Sequence, residues 1–260
     1  MPSNDVSVLI YASNDERNIV RAVTSAKLLS PHVIVIDIGS TDRTAPLARS
    51  EGARVHSVAH VSIVEFVRMK GIRNVRTGWF FILDSDEVIT SEVADEVHQR
   101  ISSTSTDLPS IGAYRVPRKN IFGATTWLKH GGWWPDAQTR LIRKEALTDW
   151  PAVIHATPVI NGRIEHLHHP ILHYSHGNFH GMVEKTIVFE GIESDLLTAA
   201  GKPASVLIFM RKFLGELNRR MVLNLGFLDG SAGIAESIYQ AFSKTITYLF
   251  VYEKSHASRS

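Results

Sequence analysis

The chain has no cysteine among its 260 residues, so disulfides, thiolate nucleophiles and thiolate metal ligands are excluded. The absence of cysteine does not by itself identify the redox compartment. No apolar run approaches the roughly 20 residues that a membrane-spanning helix needs, and residues 1–5 lack the basic and apolar regions of a signal peptide. We therefore expect a cytoplasmic protein, either soluble or peripheral at the inner face of the cell membrane.

The chain also lacks an excess of charge of one sign. Lysine and arginine number 28 and aspartate and glutamate number 26, which gives a formal net charge of +2. This charge is too small to indicate a nucleic-acid partner, and we expect none. The apolar content of 44% is sufficient for a substantial core.

The first hundred residues alternate between short apolar runs and amphipathic stretches, as βαβ units do. This pattern predicts the α/β class, with a mostly parallel, Rossmann-like sheet flanked by helices. We expect a first domain at 1–180 and a helical region at 181–260. The predicted strands are 6–11, 33–37, 54–56, 79–83, 112–117 and 171–174. The predicted helices are 16–29, 43–51, 65–76, 91–101, 206–223 and 234–252.

Two acidic segments, residues 37–42 and 83–87, each close an apolar run. Carboxylates should therefore emerge at the carboxyl ends of neighbouring buried strands, which is where open α/β sheets bind their ligands. Acids gathered at one sheet edge repel each other unless a cation lies between them, and a divalent ion bridging phosphate oxygens supplies that charge. The first hypothesis is a metal-assisted nucleotide site.

Each segment also has a structural explanation. Asp84-Ser85-Asp86 has the D-x-D form, in which one carboxylate faces a ribose and the other a metal, but acidic pairs also cap helices. In the other segment, Asp37 is predicted to point into the crevice, while Ser40, Thr41 or Asp42 is predicted to cap the following helix.

Three successive motifs resemble those of family 2 glycosyltransferases, which have the GT-A fold. They are Asn14-Asp15-Glu16-Arg17-Asn18-Ile19, Asp37-x-Gly39-Ser40-Thr41-Asp42-x-Thr44 and Trp79-x-x-x-Leu83-Asp84-Ser85-Asp86-Glu87. The segments 131–143, 153–155, 173–174 and 226–230 resemble more narrowly the bacterial branch that includes lipopolysaccharide core β-1,4-glucosyltransferases. The resemblance covers most of the chain.

This resemblance implies inverting transfer of a sugar from a nucleotide-diphosphate sugar to a glycan or lipid-linked acceptor. The first donor to expect is a UDP-sugar. The resemblance also implies that Mn²⁺ or Mg²⁺ assists the transfer. It further implies a role in the assembly of lipopolysaccharide-type envelope glycans. By analogy Asp37 contacts the base, Asp84 the ribose or donor sugar, and Asp86 the metal. Further residues are assigned to donor binding: Asn14, Asp15, Glu16, Ser40, Arg68 and Ser85.

Inversion needs a group that deprotonates the acceptor. Asp136 is the candidate base, because an aromatic loop would raise its pKa by desolvation. His155 and Arg140 complete the candidate catalytic set, Arg140 either neutralising phosphate or holding Asp136. Trp133 and Trp134 either stack on sugar faces or belong to the core.

Two departures from the family pattern keep other functions open. Ala156 stands where many relatives have a glutamate, and Ser13 stands where the family often has a tyrosine. A catalytically silent nucleotide-sugar-binding protein is therefore one alternative. A nucleotidyltransferase is another, although residues 12–18 lack the glycine-rich loop usual in such enzymes.

Six histidines lie close together in sequence, at positions 166, 168, 169, 173, 176 and 180. Their spacing fits no compact zinc motif, and ordinary buried hydrogen bonding is the commoner role. His173 is the member predicted to bind the donor diphosphate or its metal. The C-terminal helices mix cationic and apolar residues, and they would pack on the catalytic domain, lie on an anionic membrane or form a homo-oligomer.

Overall fold

The computed structural model of the chain describes residues 5–103, 111–123, 125–153, 156–176 and 179–257. The chain forms two compact units. Unit 1 comprises Met1–Arg118 and Asp136–His173, and unit 2 comprises Lys119–Pro135 and Tyr174–Ser260. The domain boundary expected near residue 180 stays a prediction.

The regular elements follow the alternation expected from the sequence over the first hundred residues. The strands are β1 Val6–Ala12, β2 Val33–Ile38, β3 Arg54–Val58, β4 Trp79–Asp84, β5 Glu87–Val88, β6 Ile111–Phe122, β7 Thr126–Trp127, β8 Ala137–Arg143, β9 Leu147–Asp149, β10 Val159–Ile160, β11 Arg163–His166 and β12 Ile171–His176. The helices are α1 Ile19–Leu29, α2 Thr44–Ser50, α3 Glu65–Ile72, α4 Ser91–Ser103, α5 Phe179–Ala199, α6 Val206–Asn218, α7 Gly230–Ser243 and α8 Thr247–Ala257.

The sheet of unit 1 has β3, β2, β1 and β4 side by side and parallel. The residues of β1 and β2 are buried throughout, because apolar side chains on both sheet faces contribute to separate hydrophobic clusters. In the register of these strands, Asp37 lies opposite Ala12 and Asp84 lies opposite Tyr11. The two acids therefore emerge on either side of the end of β1.

Strand β8 was not predicted. It pairs antiparallel with both β4 and β6, so this half of the sheet is mixed. The predicted helix 234–252 is also wrong as a single element, since α7 ends at Ser243 and α8 begins at Thr247. Thr245, Ile246 and Thr247 are consecutive β-branched residues, and the Thr245 hydroxyl donates to the carbonyl of Ala241 at 2.6 Å, which opposes a continuous helix.

Unit 2 consists mainly of the four helices that follow β12. Helix α5 packs on α8, and α6 packs on α7 and α8. A π-helical turn, Arg219–Leu223, and a 3₁₀ turn, Gly226–Asp229, connect α6 to α7. Within the described part of the chain, no helix combines the length and apolar character needed to cross a membrane.

One buried acid in unit 2 should make stability depend on pH. Burial raises the pKa of Glu236 to about 7, and one of its oxygens accepts from the Gln240 amide at 2.9 Å. Since the folded-state pKa is raised, stability should fall as pH rises from the unfolded value to 7, by up to about 3 kcal/mol. Glu236→Gln should therefore unfold at higher urea concentration than wild type at pH 8 and equally at pH 4. Glu193→Gln, an exposed acid on α5, is the control and should show no such difference.

Candidate active site

Asp37 lies at the end of β2 and is buried. Its carboxylate accepts from the backbone N–H of Ser40 at 3.2 Å and from the Ser57 hydroxyl at 3.0 Å. Gly39 has a φ of 62°, and a Cβ there would lie 2.8 Å from the backbone nitrogen of His60. The turn after β2 therefore requires glycine, as the sequence indicated.

The polar residues assigned to donor binding hydrogen-bond one another. The backbone N–H of Asn14 donates to the Ser40 hydroxyl at 3.0 Å, and the Ser85 hydroxyl donates to the carboxylate of Asp15. Glu16 accepts from the backbone and side chain of Arg43, both at 3.2 Å. These residues tie the loop after β1 to those after β2 and β4, so they position the sheet edge.

Asp42, one of three predicted caps of the helix after β2, lies one residue before the N-cap position of α2, which Arg43 occupies. Its carboxylate accepts from the backbone N–H of Thr44 at 2.9 Å and from that of Glu16 at 3.0 Å. These bonds outweigh the effect of burial and lower the pKa of Asp42.

A network of three acids and two arginines lies beside the end of β4. Arg140 on β8 donates to the carboxylate of Asp84 at 2.5 Å and to that of Glu87. Arg118 on β6 donates to Glu87 at 3.3 Å and to Asp136 at 2.7 and 3.0 Å. Glu87 is fully buried, and its second oxygen accepts from the backbone N–H of Asp84 at 3.0 Å.

This network fixes the ionisation of its members. Burial opposes ionisation of Asp84, but the charges of Arg140 and Arg68 outweigh it and hold the Asp84 pKa well below its usual range. Burial also opposes the charge of Arg140, yet Asp84 and Glu87 raise the Arg140 pKa. Both groups are therefore charged at neutral pH.

The surroundings of Asp136 differ from the expectation. Instead of an apolar surface, a cation faces this carboxylate, because the guanidinium of Arg118 lies against it. Arg118, and not Arg140, holds Asp136. Neither Arg118 nor Glu87 was in the predicted site, and His155 lies outside the described residues.

Arg68 on α3 is buried between two aromatic rings. Its guanidinium carbon lies 5.0 Å from the ring centroids of both Tyr11 and Trp150. Its Nε and Nη1 have no hydrogen-bond partner among the described residues. It lines a cavity of about 630 Å³ whose other charged members are Glu65, Asp84, Arg115, Arg118 and Arg140. Four arginines against two carboxylates suit an anionic ligand.

Asp86 and His173 are the two residues predicted to hold a metal. The Asp86 carboxylate lies 3.6 Å from Nε2 of His173. Burial lowers the pKa of His173 to about 4, so the imidazole is neutral at physiological pH and presents a lone pair. Within the described residues no three His, Cys, Asp or Glu side chains form a metal-binding group. Two donors nevertheless fit an ion whose other ligands are substrate phosphates and water, the usual arrangement for Mg²⁺.

Two of the other histidines contact one buried acid. The carboxylate of Glu96 on α4 accepts from the backbone N–H groups of His168 and His169 at 3.0 Å, and from Nδ1 of His169 at 2.9 Å. These bonds outweigh burial and lower the pKa of Glu96. Ordinary hydrogen bonding therefore accounts for the imidazole of His169, while His168 is held through its backbone N–H.

Trp133 and Trp134 belong to unit 2. The Trp133 ring faces Arg220, whose guanidinium carbon is 5.6 Å from the ring centroid. The Trp134 ring packs edge-on against Trp127, with ring centroids 5.5 Å apart, and is partly exposed. Of the two tryptophans, Trp134 has the more accessible face for a sugar.

The sequence matches a known family and known relatives. The family described as Glycosyl transferase family 2 matches residues 7–161. An uncharacterized glycosyltransferase of Rickettsia typhi is 24% identical over 273 positions, which cover 98% of this chain and 89% of the relative. An uncharacterized glycosyltransferase of Rickettsia felis is 25% identical over 252 positions, which cover 92% of this chain and 86% of the relative.

Two solved structures share the fold. Glucosyl-3-phosphoglycerate synthase from Mycobacterium tuberculosis, in complex with phosphoglyceric acid, has a TM-score of 0.50 and 18% identity, covering 77% of this chain and 81% of that one. A mannosyltransferase from Pyrobaculum calidifontis, in complex with GDP-Man and Mn²⁺, has a TM-score of 0.50 and 11% identity, covering 100% and 83%. The expected GT-A fold is confirmed, and the chain is a glycosyltransferase that belongs to glycosyl transferase family 2.

Proposed function

We propose that this enzyme transfers a sugar, with inversion and with a divalent metal, from a nucleotide-diphosphate sugar to an acceptor hydroxyl. The observation that carries the proposal is the cationic cavity at the sheet edge, where buried Arg68 and Arg140 lie beside the strand-end carboxylate of Asp84. A diphosphate has the charge that this cavity lacks, and a ribose has the hydroxyls that the carboxylate can accept from.

The donor would lie along the ends of β2, β1 and β4. Asp37 is the proposed contact for the base and Asp84 for the ribose or the donor sugar. Because Arg140 donates to one Asp84 oxygen, Oδ2, the carboxylate is held in a single orientation toward the ligand. The hydrogen-bonded loops of Asn14, Asp15 and Ser40 keep the sheet edge in place around it.

Asp86 and His173 would hold Mn²⁺ or Mg²⁺. The ion, when bound, neutralises the charge that develops on the leaving diphosphate. The neutral imidazole of His173 and the carboxylate of Asp86 both present electron pairs in the form that binding requires. Support comes from the mannosyltransferase that shares this fold, which was solved with GDP-Man and Mn²⁺.

Asp136 is the proposed base. The acceptor oxygen would form its bond to the anomeric carbon as the bond from that carbon to the diphosphate breaks, and Asp136 would take the hydroxyl proton. Its ion pair with Arg118 fixes the orientation of the carboxylate. The resemblance to the lipopolysaccharide core branch supports a glycan or lipid-linked acceptor in envelope assembly.

A screen of nucleotide sugars tests this function. Thermal stability and donor hydrolysis would be measured for UDP- and GDP-sugars with and without Mn²⁺, on wild type and on Asp86→Ala. We expect one donor to stabilise wild type and to be hydrolysed slowly, in both cases only with the metal. Asp86→Ala should lose both effects, while Asp95→Ala, which removes an exposed acid on α4, should keep them.

The other outcomes separate the alternatives. Metal-dependent stabilisation without hydrolysis or transfer would indicate a silent nucleotide-sugar-binding protein. Absence of stabilisation by any nucleotide sugar would contradict the proposed donor site. An Asp86→Ala variant that behaves as wild type would remove Asp86 from the metal site.

A further inference from the structure

Helix α6 has a broad apolar face. It packs on α7 and α8, yet none of its thirteen residues is buried. Phe209 and Phe213 are half-buried, with their rings stacked at 5.9 Å. Four further apolar side chains are exposed: Val206, Leu207, Met210 and Leu214. At 100° per residue these four lie within an arc of about 100°, and the two phenylalanines adjoin that arc on one side.

The exposed apolar surface continues along the chain. The π-helical and 3₁₀ turns after α6 expose five more large apolar side chains: Val222, Leu223, Leu225, Phe227 and Leu228. Leu207 is 78% exposed and Leu214 is 55% exposed. Nine exposed large apolar side chains between residues 206 and 228 point to an interaction site. We refer to the exposed side chains of residues 202–228 as the α6 surface.

Leu225 has an unfavourable backbone conformation. Its φ of 56° lies in the left-handed region, where glycine and asparagine are the usual residues. The Leu225 side chain gains little from burial, because it is 44% exposed. Neither the backbone conformation nor burial within this chain therefore explains why residue 225 is a leucine.

The α6 surface is also positively charged. Residues 202–228 contain five cationic side chains and one carboxylate, that of Glu216. Four of the cations are exposed: Lys202, Arg211, Lys212 and Arg219. Arg219 pairs with Glu216 at 2.5 Å. A symmetric contact between two copies would bring this positive segment close to itself, whereas an anionic surface would complement it.

We propose that the α6 surface binds the anionic lipid surface of a membrane. Apolar side chains on one arc and cations beside them are the pattern of helices that lie in the interface plane. Leu207 and Leu214 would enter the boundary between headgroups and acyl chains, and Lys202 and Arg211 would contact lipid phosphates. The contact is peripheral and needs neither donor nor metal.

Co-sedimentation of the full chain with vesicles tests the proposal. One set of vesicles is phosphatidylcholine alone, and the other contains one-third phosphatidylglycerol. Wild type should bind the anionic vesicles and not the neutral ones. Leu207→Ser with Leu214→Ser should weaken binding about tenfold or more. Lys202→Gln with Arg211→Gln should weaken it about tenfold, and added salt should act in the same direction.

The matched control is Leu28→Ser with Leu196→Ser, which changes two leucines that are each 56% exposed but lie on α1 and α5. It should bind as wild type does. Failure of wild type to bind, or equal losses in the control and test variants, would overturn the proposal. Light scattering that shows a dimer dissociated by Leu207→Ser with Leu214→Ser would also overturn it, by making the surface a contact between copies. The metal-dependent donor shift should stay unchanged in every variant, which separates this result from a failure of the proposed function.

Discussion

Replacing Arg140 with methionine should lower the free energy of unfolding by about 3–5 kcal/mol. Arg140 is buried and donates to both Asp84 and Glu87. Methionine keeps most of the side-chain volume, so the main change is the loss of the cation between two carboxylates. Glu87 is fully buried and, within the described part of the chain, would retain Arg118 alone as a paired counter-charge. Urea unfolding at neutral pH would measure the loss.

Arg143→Met is the matched control. Arg143 lies on the same strand and pairs with Glu145, whose side chain is largely exposed. Because Glu145 is open to water, this ion pair contributes little to the free energy of unfolding. We therefore expect Arg143→Met to lower that free energy by about 1 kcal/mol or less. Arg140→Lys should give an intermediate loss, because an ammonium keeps the charge but not the planar fork. Similar small losses in Arg140→Met and Arg143→Met would show that the network is not a structural centre of unit 1.

The position of the two strand-end acids could be predicted from the sequence. Residues 33–36 and 79–83 are continuous apolar runs, which is the pattern of strands buried on both faces. Parallel strands place their carboxyl ends at one edge, so Asp37 and Asp84 had to lie at the same edge. The structure confirms the shared edge, but the expectation that the two strands are neighbours is wrong, because β1 lies between them.

Of the cations of the site, Arg140 and Arg68 were assigned from the family resemblance and not from the strand pattern, and Arg118 was missed. Arg140 and Arg118 come from β8 and β6, which pair antiparallel through contacts between residues distant in sequence. Arg140 lies on a strand that was not predicted. Glu87 did give a signal, since a third acid after Asp84 and Asp86 requires compensating charge if it is buried. That signal indicates a cation but does not say which arginine supplies it.

The sequence also cannot separate residues that bind a ligand from residues that hold a loop. Asn14, Asp15 and Ser40 were assigned to the donor, and they hydrogen-bond the neighbouring loops. Short polar side chains are suited to both tasks, because each accepts hydrogen bonds from backbone N–H groups. Only the structure shows which acceptors are already engaged.

Arg68→Met should weaken the binding of a nucleoside diphosphate by about 100-fold without loss of stability. The Nε and Nη1 groups of Arg68 are buried and have no hydrogen-bond partner among the described residues. Buried donors without partners are unfavourable in the free protein, and a phosphate oxygen would satisfy them with a charge-assisted bond. Removing the guanidinium should leave the unfolding free energy nearly unchanged, because relief of the unpartnered donors offsets the loss of its attraction to Asp84, while binding is lost.

Calorimetry on the nucleoside diphosphate selected by the screen, and on its parent nucleoside, would measure the effect. The loss should appear for the diphosphate and not for the nucleoside. Lys70→Met removes the same charge from an exposed position on the same helix and should change neither affinity nor stability by much. If Arg68 instead served only to pack between Tyr11 and Trp150, Arg68→Met would lower stability and leave the affinity for the diphosphate as it was. A binding role predicts a loss of affinity with stability kept, and a packing role predicts a loss of stability with affinity kept. The single variant Arg68→Met therefore distinguishes the two roles.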